Sequence, residues 1–136
     1  MTARQGVADL ETLMPMLFSE GVVTGRITLD EFVSLTSARA ARLFGLHPRK
    51  GTIAVGSDAD LTLWDPGQRR VINGAAMASR AGYSVYDGWA VTGWPRYVIR
   101  RGQAVLADGQ CTAQPGQGQW VHRDAAPASA ARFLST

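Results

Sequence analysis

The sequence predicts an α+β chain, because helical spacing fills its first 46 residues and strand-like alternation follows. Apolar side chains recur at three- and four-residue intervals near the N-terminus, which is typical of one buried helix face: Leu10, Leu13, Met14, Leu17 and Phe18. After the turn-forming run His47-Pro48-Arg49-Lys50-Gly51, apolar residues alternate at period two, as in strands. Arg101-Gly102 separates two such runs and indicates a hairpin.

The first helix is expected to start near Thr12, which places Pro15 in its first turn, where a missing N–H costs no bond. Gly21 is a candidate for its end. A second helix is expected after Thr28, because Glu31 three residues later completes a capping box.

A third helix is expected to be capped by Ser37, to pack through Leu43 and Phe44, and to close at Gly45. Two short helices in succession usually pack against something larger. The apolar side of the second helix consists of Phe32, Val33 and Leu35.

The strand region contains two dipeptides that are typical of turns. Pro66-Gly67 predicts a turn, and the hairpin is expected to pair residues 97–100 with residues 104–107 and to end at Asp108-Gly109. Residues 72–95 show no clear period and are long for an unsupported loop, so we expect a larger scaffold to support them. The strands lack a complete second layer, which indicates an incomplete unit.

Composition excludes several classes of function. The net charge of +3 comes from thirteen scattered arginines and one lysine, without the basic cluster of a nucleic-acid surface. The apolar runs are shorter than the roughly 20 residues that span a bilayer. We therefore expect no nucleic-acid partner, no membrane partner and a cytoplasmic location. Cys111 is the only cysteine, so neither an internal disulfide nor a cysteine-based zinc site can form.

The order of the segments resembles the C-terminal part of the D-hydantoinase and dihydropyrimidinase family of metal-dependent cyclic amidohydrolases. Three runs carry the resemblance, namely "LETLMPMLFSEGVVTGRITLDEFVSLTSARAARLFGLHPRKGTIAVGSDADLTLWDP", "YSVYDGWAVTGWPRYVIRRGQAV" and "QPGQGQWVHR". The first looks like the last helices of the family's TIM barrel followed by its return into a small β-sandwich. The resemblance thus implies barrel helices in residues 1–46, sandwich strands and a loop in 47–123, and a flexible Ala/Ser-rich tail in 124–136.

The same resemblance implies hydrolysis of a ring amide by two zinc ions that activate a bridging hydroxide. The family's zinc ligands, which are histidines, a carboxylated lysine and an aspartate, all lie upstream of the matched region. This chain is therefore expected to carry no catalytic residue, no metal ligand and no bound cofactor. The resemblance implies one substrate contact, because Gln5 stands where the family has an asparagine that holds the ring carbonyls.

The residues themselves agree with an incomplete site. Zinc needs three or four ligands gathered together, and His47 and His122 are widely separated and belong to no His-x-His pair. Lys50 stands in an exposed turn and is expected to be a surface lysine. Glu11 and Glu20 have no histidine beside them in sequence.

The aspartates of "GSDADLTLWD" are the densest carboxylate group in the chain. Asp58 and Asp60 precede a strand, where such side chains bond nearby N–H groups and set a turn. Asp65 is expected to end that strand. We interpret all three as structural residues.

Three hypotheses follow. The chain is a C-terminal fragment of such a hydrolase, inactive alone, arising as a truncated gene, a split-enzyme half or a partial sequence. Alternatively, it is a non-catalytic module that pairs with a full-length homologue, or an unrelated β-rich binding domain. The expected partners are the missing upstream barrel portion or a full-length homologue, with homo-oligomerisation.

Overall fold

The computed structural model describes residues 7–123. Their elements are three short α-helices and four strands, in the order helices first and sheet second: α1 (Leu13–Leu17), α2 (Leu29–Val33), α3 (Arg39–Leu43), β1 (Leu61–Val71), β2 (Ala90–Arg100), β3 (Gln103–Ala107) and β4 (Gln110–Cys111). The α+β class predicted from the sequence is confirmed. Gln5 and the predicted tail at 124–136 lie outside the described residues.

The first helix starts where the sequence predicts. Thr12 is the N-cap of α1, and Pro15 occupies the first turn. The end of this helix differs from the prediction, because α1 continues as a π-helix (Phe18–Val23) straight through Gly21.

Gly25, rather than Gly21, ends the helix. Gly25 has a φ of 74°, and the N–H of Arg26 donates to the carbonyl of Gly21 at 2.9 Å, as in a Schellman ending. Gly21 serves close packing instead, since a Cβ there would lie 3.0 Å from the Ile27 side chain. The predicted helix end at Gly21 is therefore wrong: Gly21 leaves room for the Ile27 side chain, and the positive φ that ends the helix belongs to Gly25.

The buried face of this helix is also rotated from the predicted one. Of the predicted face, Phe18 is buried, but Leu10 is 94% exposed and Leu13 is 57% exposed. Thr12 and Ser19 are buried in their place. The Ser19 hydroxyl accepts a hydrogen bond from the backbone N–H of Thr92, so a specific polar contact fixes this face.

The next helical run is continuous over residues 29–43. A π-helix (Ser34–Ala38) joins α2 to α3, and Ala38 keeps helical angles with no side-chain cap. The predicted break at Ser37 is therefore wrong. The predicted end is confirmed, because Gly45 has a φ of 67° and the N–H of Leu46 returns to the Ala41 carbonyl.

β1 runs through the dipeptide that was predicted to be a turn. The Asp65 carboxylate accepts from the N–H of Gly67 at 3.0 Å and from that of Gln68 at 3.1 Å. This small aspartate turn satisfies the backbone around Pro66 without ending the strand. Asp65 therefore stays within β1, and its predicted role as the strand end is wrong.

The four strands form one sheet in the order β1-β2-β3-β4. The predicted hairpin is confirmed: Tyr97 pairs with Ala107 and Arg100 pairs with Gln103 in an antiparallel register. The two-residue turn has positive φ at both Arg101 and Gly102, which matches the right-handed twist of the strands. Asp108-Gly109 is a second such turn and leads into β4.

The aperiodic stretch after β1 contributes to the core. It contains a short 3₁₀ turn (Gly74–Ala76), and the fully buried Ile72 packs with Val91 and Trp94. β2 begins at Ala90, seven residues before the predicted hairpin strand. Burial does not alternate regularly in this stretch, because Gly93 and Trp94 are buried in succession. This explains why the sequence shows no strand period here.

The described part of the chain divides into two units, each built from two chain segments: residues 7–28 with 64–95, and residues 29–63 with 96–123. In the first unit, the Phe18 and Trp64 rings lie 5.2 Å apart, and Gly93 approaches Phe18 closely. In the second unit, Phe32 and Ala41 are buried. The division at residue 46 that the resemblance implies stays a prediction.

Candidate functional site

The most concentrated group of charges lies in the second unit, between the loop after α3 and the β2–β3 turn. We call it the Lys50 cluster; it consists of Arg49, Lys50, Asp58 and Asp60. The Lys50 amine contacts both carboxylates, at 2.8 Å from Asp58 and in direct contact with Asp60. Arg49 donates to the same Asp58 oxygen at 3.1 Å.

Asp60 connects this cluster to the hairpin. One of its oxygens accepts from the backbone N–H of Arg101 at 2.7 Å, and the other accepts from Lys50. The N–H of Gly102 donates to the Ala59 carbonyl at 3.0 Å beside it. The loop that precedes β1 is thus bonded to the tip of a turn about forty residues further along the chain.

These contacts shift the protonation equilibria. Hydrogen bonding to Lys50 lowers the pKa of Asp58 despite partial desolvation, and Arg49 adds to that effect. Desolvation acts to raise the pKa of Asp60, but hydrogen bonds from Lys50 and the Arg101 N–H outweigh it and lower that pKa. Desolvation also opposes the charge on Lys50, yet both aspartates together raise its pKa.

The direction of these pKa shifts favours a structural role for Asp58, Asp60 and Lys50. The shifts hold Asp58, Asp60 and Lys50 in their charged forms, whereas a proton-transfer residue needs a pKa near the working pH. The sequence predicts a surface lysine at position 50, and the structure shows that its amine is tethered by Asp58 and Asp60. The structural interpretation of Asp58 and Asp60 agrees with this geometry, although their main partners are Lys50 and Arg101.

The remaining sequence candidates lie apart from one another. His47 is half-buried in the loop after α3, and His122 packs edge-on against Trp120 with ring centroids 6.5 Å apart. Glu11 accepts from the backbone N–H of Ala78 at 2.8 Å, which is a structural contact. Among residues 7–123, no three His, Cys, Asp or Glu side chains gather in a way that could hold a metal ion.

One open groove lies in the first unit, with a volume of about 300 Å³. It is lined by residues from β1 and β2: Arg69, Arg70, Val71, Ala90, Val91 and Thr92. Arg70 is held over the Trp94 ring at 4.8 Å from its centroid. The lining supplies neither a carboxylate nor a histidine, so it offers no acid–base pair.

Comparison with known proteins identifies the family of this chain. The Amidohydrolase family matches residues 6–105. A D-hydantoinase of Geobacillus stearothermophilus is 49% identical over 114 residues, which are 84% of this chain and 24% of that protein. The solved L-hydantoinase (dihydropyrimidinase) of Arthrobacter aurescens superposes on this chain with a TM-score of 0.85 at 39% identity. The match covers 89% of this chain and 27% of the hydantoinase chain.

A third relative gives the same result. The crystal structure of a dihydropyrimidinase from Brevibacillus agri matches with a TM-score of 0.79 at 44% identity, covering 81% of this chain and 24% of that one. The chain belongs to the amidohydrolase family. Within that family, it is most similar to hydantoinases and dihydropyrimidinases among the relatives described above, and it spans about a quarter of the length of the relatives that it matches.

The family resemblance predicted from the sequence is confirmed, whereas the Lys50 cluster was not predicted. Lys50 and Asp58 are eight residues apart, and Asp60 and Arg101 are 41 apart. A lone lysine followed by two aspartates was the only local hint.

Nothing in residues 7–123 forms a helix long and apolar enough to cross a membrane.

Proposed function

We propose that the chain is the C-terminal portion of a hydantoinase/dihydropyrimidinase-type hydrolase, which opens the C–N bond of cyclic amides, and that it is inactive alone. One observation carries the proposal. D-Hydantoinase relatives match 84–87% of this chain at 42–49% identity, yet the match covers only 24–26% of their length. A cytoplasmic location remains part of the proposal.

The proposed setting is the one that the sequence resemblance implies. Residues 1–46 would be the last helices of a TIM barrel, and residues 47–123 would be strands and a loop of a small β-sandwich. The order of helices before sheet and the solved relatives' TM-scores of 0.74–0.85 support this arrangement. Gln5 is the single proposed substrate contact in this chain.

The metal of such enzymes is zinc, by family resemblance. The described residues do not fit a zinc centre, because His47 and His122 each stand without neighbouring ligands. We therefore derive no hydrolytic step from this chain. The ligand set belongs, in this proposal, to the rest of the hydrolase.

A hydrolysis assay tests the proposal. The purified chain should open hydantoin or dihydrouracil no faster than buffer does. A chimera in which the chain replaces its matching segment in the full-length Geobacillus D-hydantoinase should fold and retain ring-opening activity. An unfolded chimera, or turnover by the chain alone that disappears in a His47→Ala variant, would contradict the proposal.

A second candidate function is a non-catalytic module that pairs with a full-length relative or with itself. The observation in its favour is the amount of apolar surface on the described residues, including Ile53 at 88% and Trp120 at 83% exposure. Size-exclusion chromatography with light scattering distinguishes the two. Saturable assembly with an intact hydantoinase, without loss of that enzyme's own activity, would favour the module.

A further inference from the structure

Asn73 and Gly74 form an Asn-Gly dipeptide just after β1, and Asn73 is the only asparagine of the chain. An asparagine side chain is chemically labile before glycine, because glycine has no side chain to hinder attack by its own backbone nitrogen on the asparagine Cγ. Asn73 is exposed to water, whereas Gly74 is buried. The reacting groups of a deamidation site are therefore adjacent here, and water can reach the asparagine.

Each residue of this dipeptide also has a structural role. The Asn73 side chain caps the short 3₁₀ turn, where its Oδ1 accepts from the Ala75 N–H at 3.1 Å. At Gly74 a Cβ would lie 2.3 Å from the backbone nitrogen of Ser84, so a larger residue does not fit without a shift of the backbone. A cap and a close backbone approach thus hold the labile pair in place.

Asp87 holds the Gly74 nitrogen. Its Oδ1 accepts from the Gly74 N–H at 2.6 Å. Beside this bond, the Ile72 N–H donates to the Trp89 carbonyl and the Gly88 N–H donates to the Ile72 carbonyl, each at 2.9 Å. These three hydrogen bonds close the intervening segment into a loop, and the bond to Asp87 is the one among them that a side chain makes.

The closed loop keeps the reacting atoms apart. Ring closure requires the Gly74 nitrogen to turn toward the Asn73 side chain. Asn73 has an extended backbone with a ψ of 103°, and in an extended L-residue the next nitrogen points away from Cβ. Turning that nitrogen would break its bond to Asp87 and disturb the close approach to Ser84. Cyclisation must therefore follow local opening of the loop.

We propose that Asn73 is a latent deamidation site, which the hydrogen bond from Gly74 to Asp87 keeps inactive while the loop is closed. In the open loop the Gly74 nitrogen bonds to the Asn73 Cγ and loses its proton, and the side-chain nitrogen gains a proton and leaves as ammonia. Water then opens the succinimide at either carbonyl, which gives aspartate or isoaspartate. Water is the only co-reactant, and the proposal does not depend on the hydrolase function proposed above.

Mass spectrometry of the tryptic peptide 71–80 tests the proposal. Deamidation replaces an NH2 group by an OH group, and this peptide contains the only asparagine of the chain. The chain is incubated in mildly alkaline buffer with and without urea, and the rates of mass gain are compared. The folded wild type should react about tenfold more slowly than the chain in urea, because partly buried hydrogen bonds must open first.

Three variants separate the roles of the side chains. Asp87→Ala removes the acceptor for the Gly74 N–H and should raise the rate in buffer toward the rate in urea. Asp87→Asn keeps an acceptor oxygen at this position and should stay close to the wild type. Asn73→Ser is the blank, because serine keeps a capping oxygen but has no amide, and its peptide should gain no mass.

Equal wild-type rates with and without urea would overturn the proposal, because the loop would then give no protection. A slower reaction in Asp87→Ala than in the wild type would also overturn it, since Asp87 would then act as a base that assists the attack. If circular dichroism shows that Asp87→Ala is unfolded, the wild type decides. Urea below the unfolding transition should raise the deamidation rate and amide hydrogen exchange at Gly74 in parallel, and a divergence of the two would contradict the proposed restraint.

Discussion

The Lys50 amine lies 2.8 Å from an Asp58 oxygen and also contacts Asp60, whose second oxygen accepts from the Arg101 N–H. A single cation thus orients two carboxylates, and one of them fastens the loop before β1 to the β2–β3 turn. Because Asp60 serves both partners, substitutions there separate the backbone bond from the ion pair.

Asp60→Ala should speed amide hydrogen exchange at Arg101 and Gly102 and lower the free energy of unfolding by about 1 kcal/mol, discounted for partial exposure. Asp60→Asn keeps an oxygen for the Arg101 N–H and should perturb the two amides less. Asp108→Asn is the control, because Asp108 pairs with Arg96 at an exposed site and does not contact these amides. Equal exchange rates in all three variants would contradict the tether.

Stability should depend on pH at both extremes. The pKa values of Asp58 and Asp60 are lowered on folding, so their contribution is present above 3.8 and is lost as the pH falls through the lowered values. The pKa of Lys50 is raised, so its contribution is present below 10.5 and is lost as the pH rises through the raised value.

Thermal unfolding measured across pH should therefore show a plateau between these limits. Lys50→Met removes the shared cation, so this variant should lose stability on the plateau. It should also weaken the alkaline decline. A variant with the wild-type profile at every pH would show that the cluster does not contribute.

Gly93→Ala should be strongly destabilising. Gly93 has a φ of 96°, and a Cβ there would lie 2.2 Å from the Phe18 ring. Backbone strain and overpacking each cost about 1–3 kcal/mol. Gly118→Ala is the matched control, since a Cβ at Gly118 meets nothing within 4 Å. Urea unfolding that gives both variants the same midpoint would refute the close approach.

Zinc should bind the purified chain only weakly, because neither His47 nor His122 has companion ligands among the described residues. Dialysis against a mild chelator followed by elemental analysis measures this. Stoichiometric retained zinc would require a site built from the two histidines and the Asp58–Asp65 carboxylates.

The isolated chain should be marginally stable, oligomeric or prone to aggregation, and it should be more stable within the chimera. Large apolar side chains left in water, such as Ile53 at 88% and Val55 at 108% exposure, each forgo roughly 1.5–3 kcal/mol. Their sum is comparable to the whole stability of a small domain. A sharp, concentration-independent transition of a lone monomer, equal to that of the chimera, would falsify this prediction.

Features that depend on neighbouring residues could be predicted from the sequence, whereas features that depend on tertiary packing could not. The Arg101-Gly102 turn and the Thr12 helix start depend on residues within a few positions, and both predictions were correct. Gly21 and Pro66-Gly67 were misread because the same residue types serve packing and an aspartate turn inside a strand.

The same limit applies to side chains. Leu63, Trp89 and Trp120 are exposed, whereas Trp94 is 7% exposed and belongs to the core. The bond from the Arg101 N–H to Asp60 spans 41 residues, so no spacing rule could reveal it. Hydrophobicity alone does not say which neighbour a side chain will meet.

The interleaving of the two units has a consequence for biosynthesis. Each unit needs a segment from either side of the other, so neither is complete until residues after position 63 have been synthesised. A ribosome releasing the chain from its N-terminus would present residues 29–63 before their partner segment beyond residue 95 exists. Early nascent chains would thus expose Phe32 and the other apolar side chains of that helix, which makes them candidates for chaperone capture during translation.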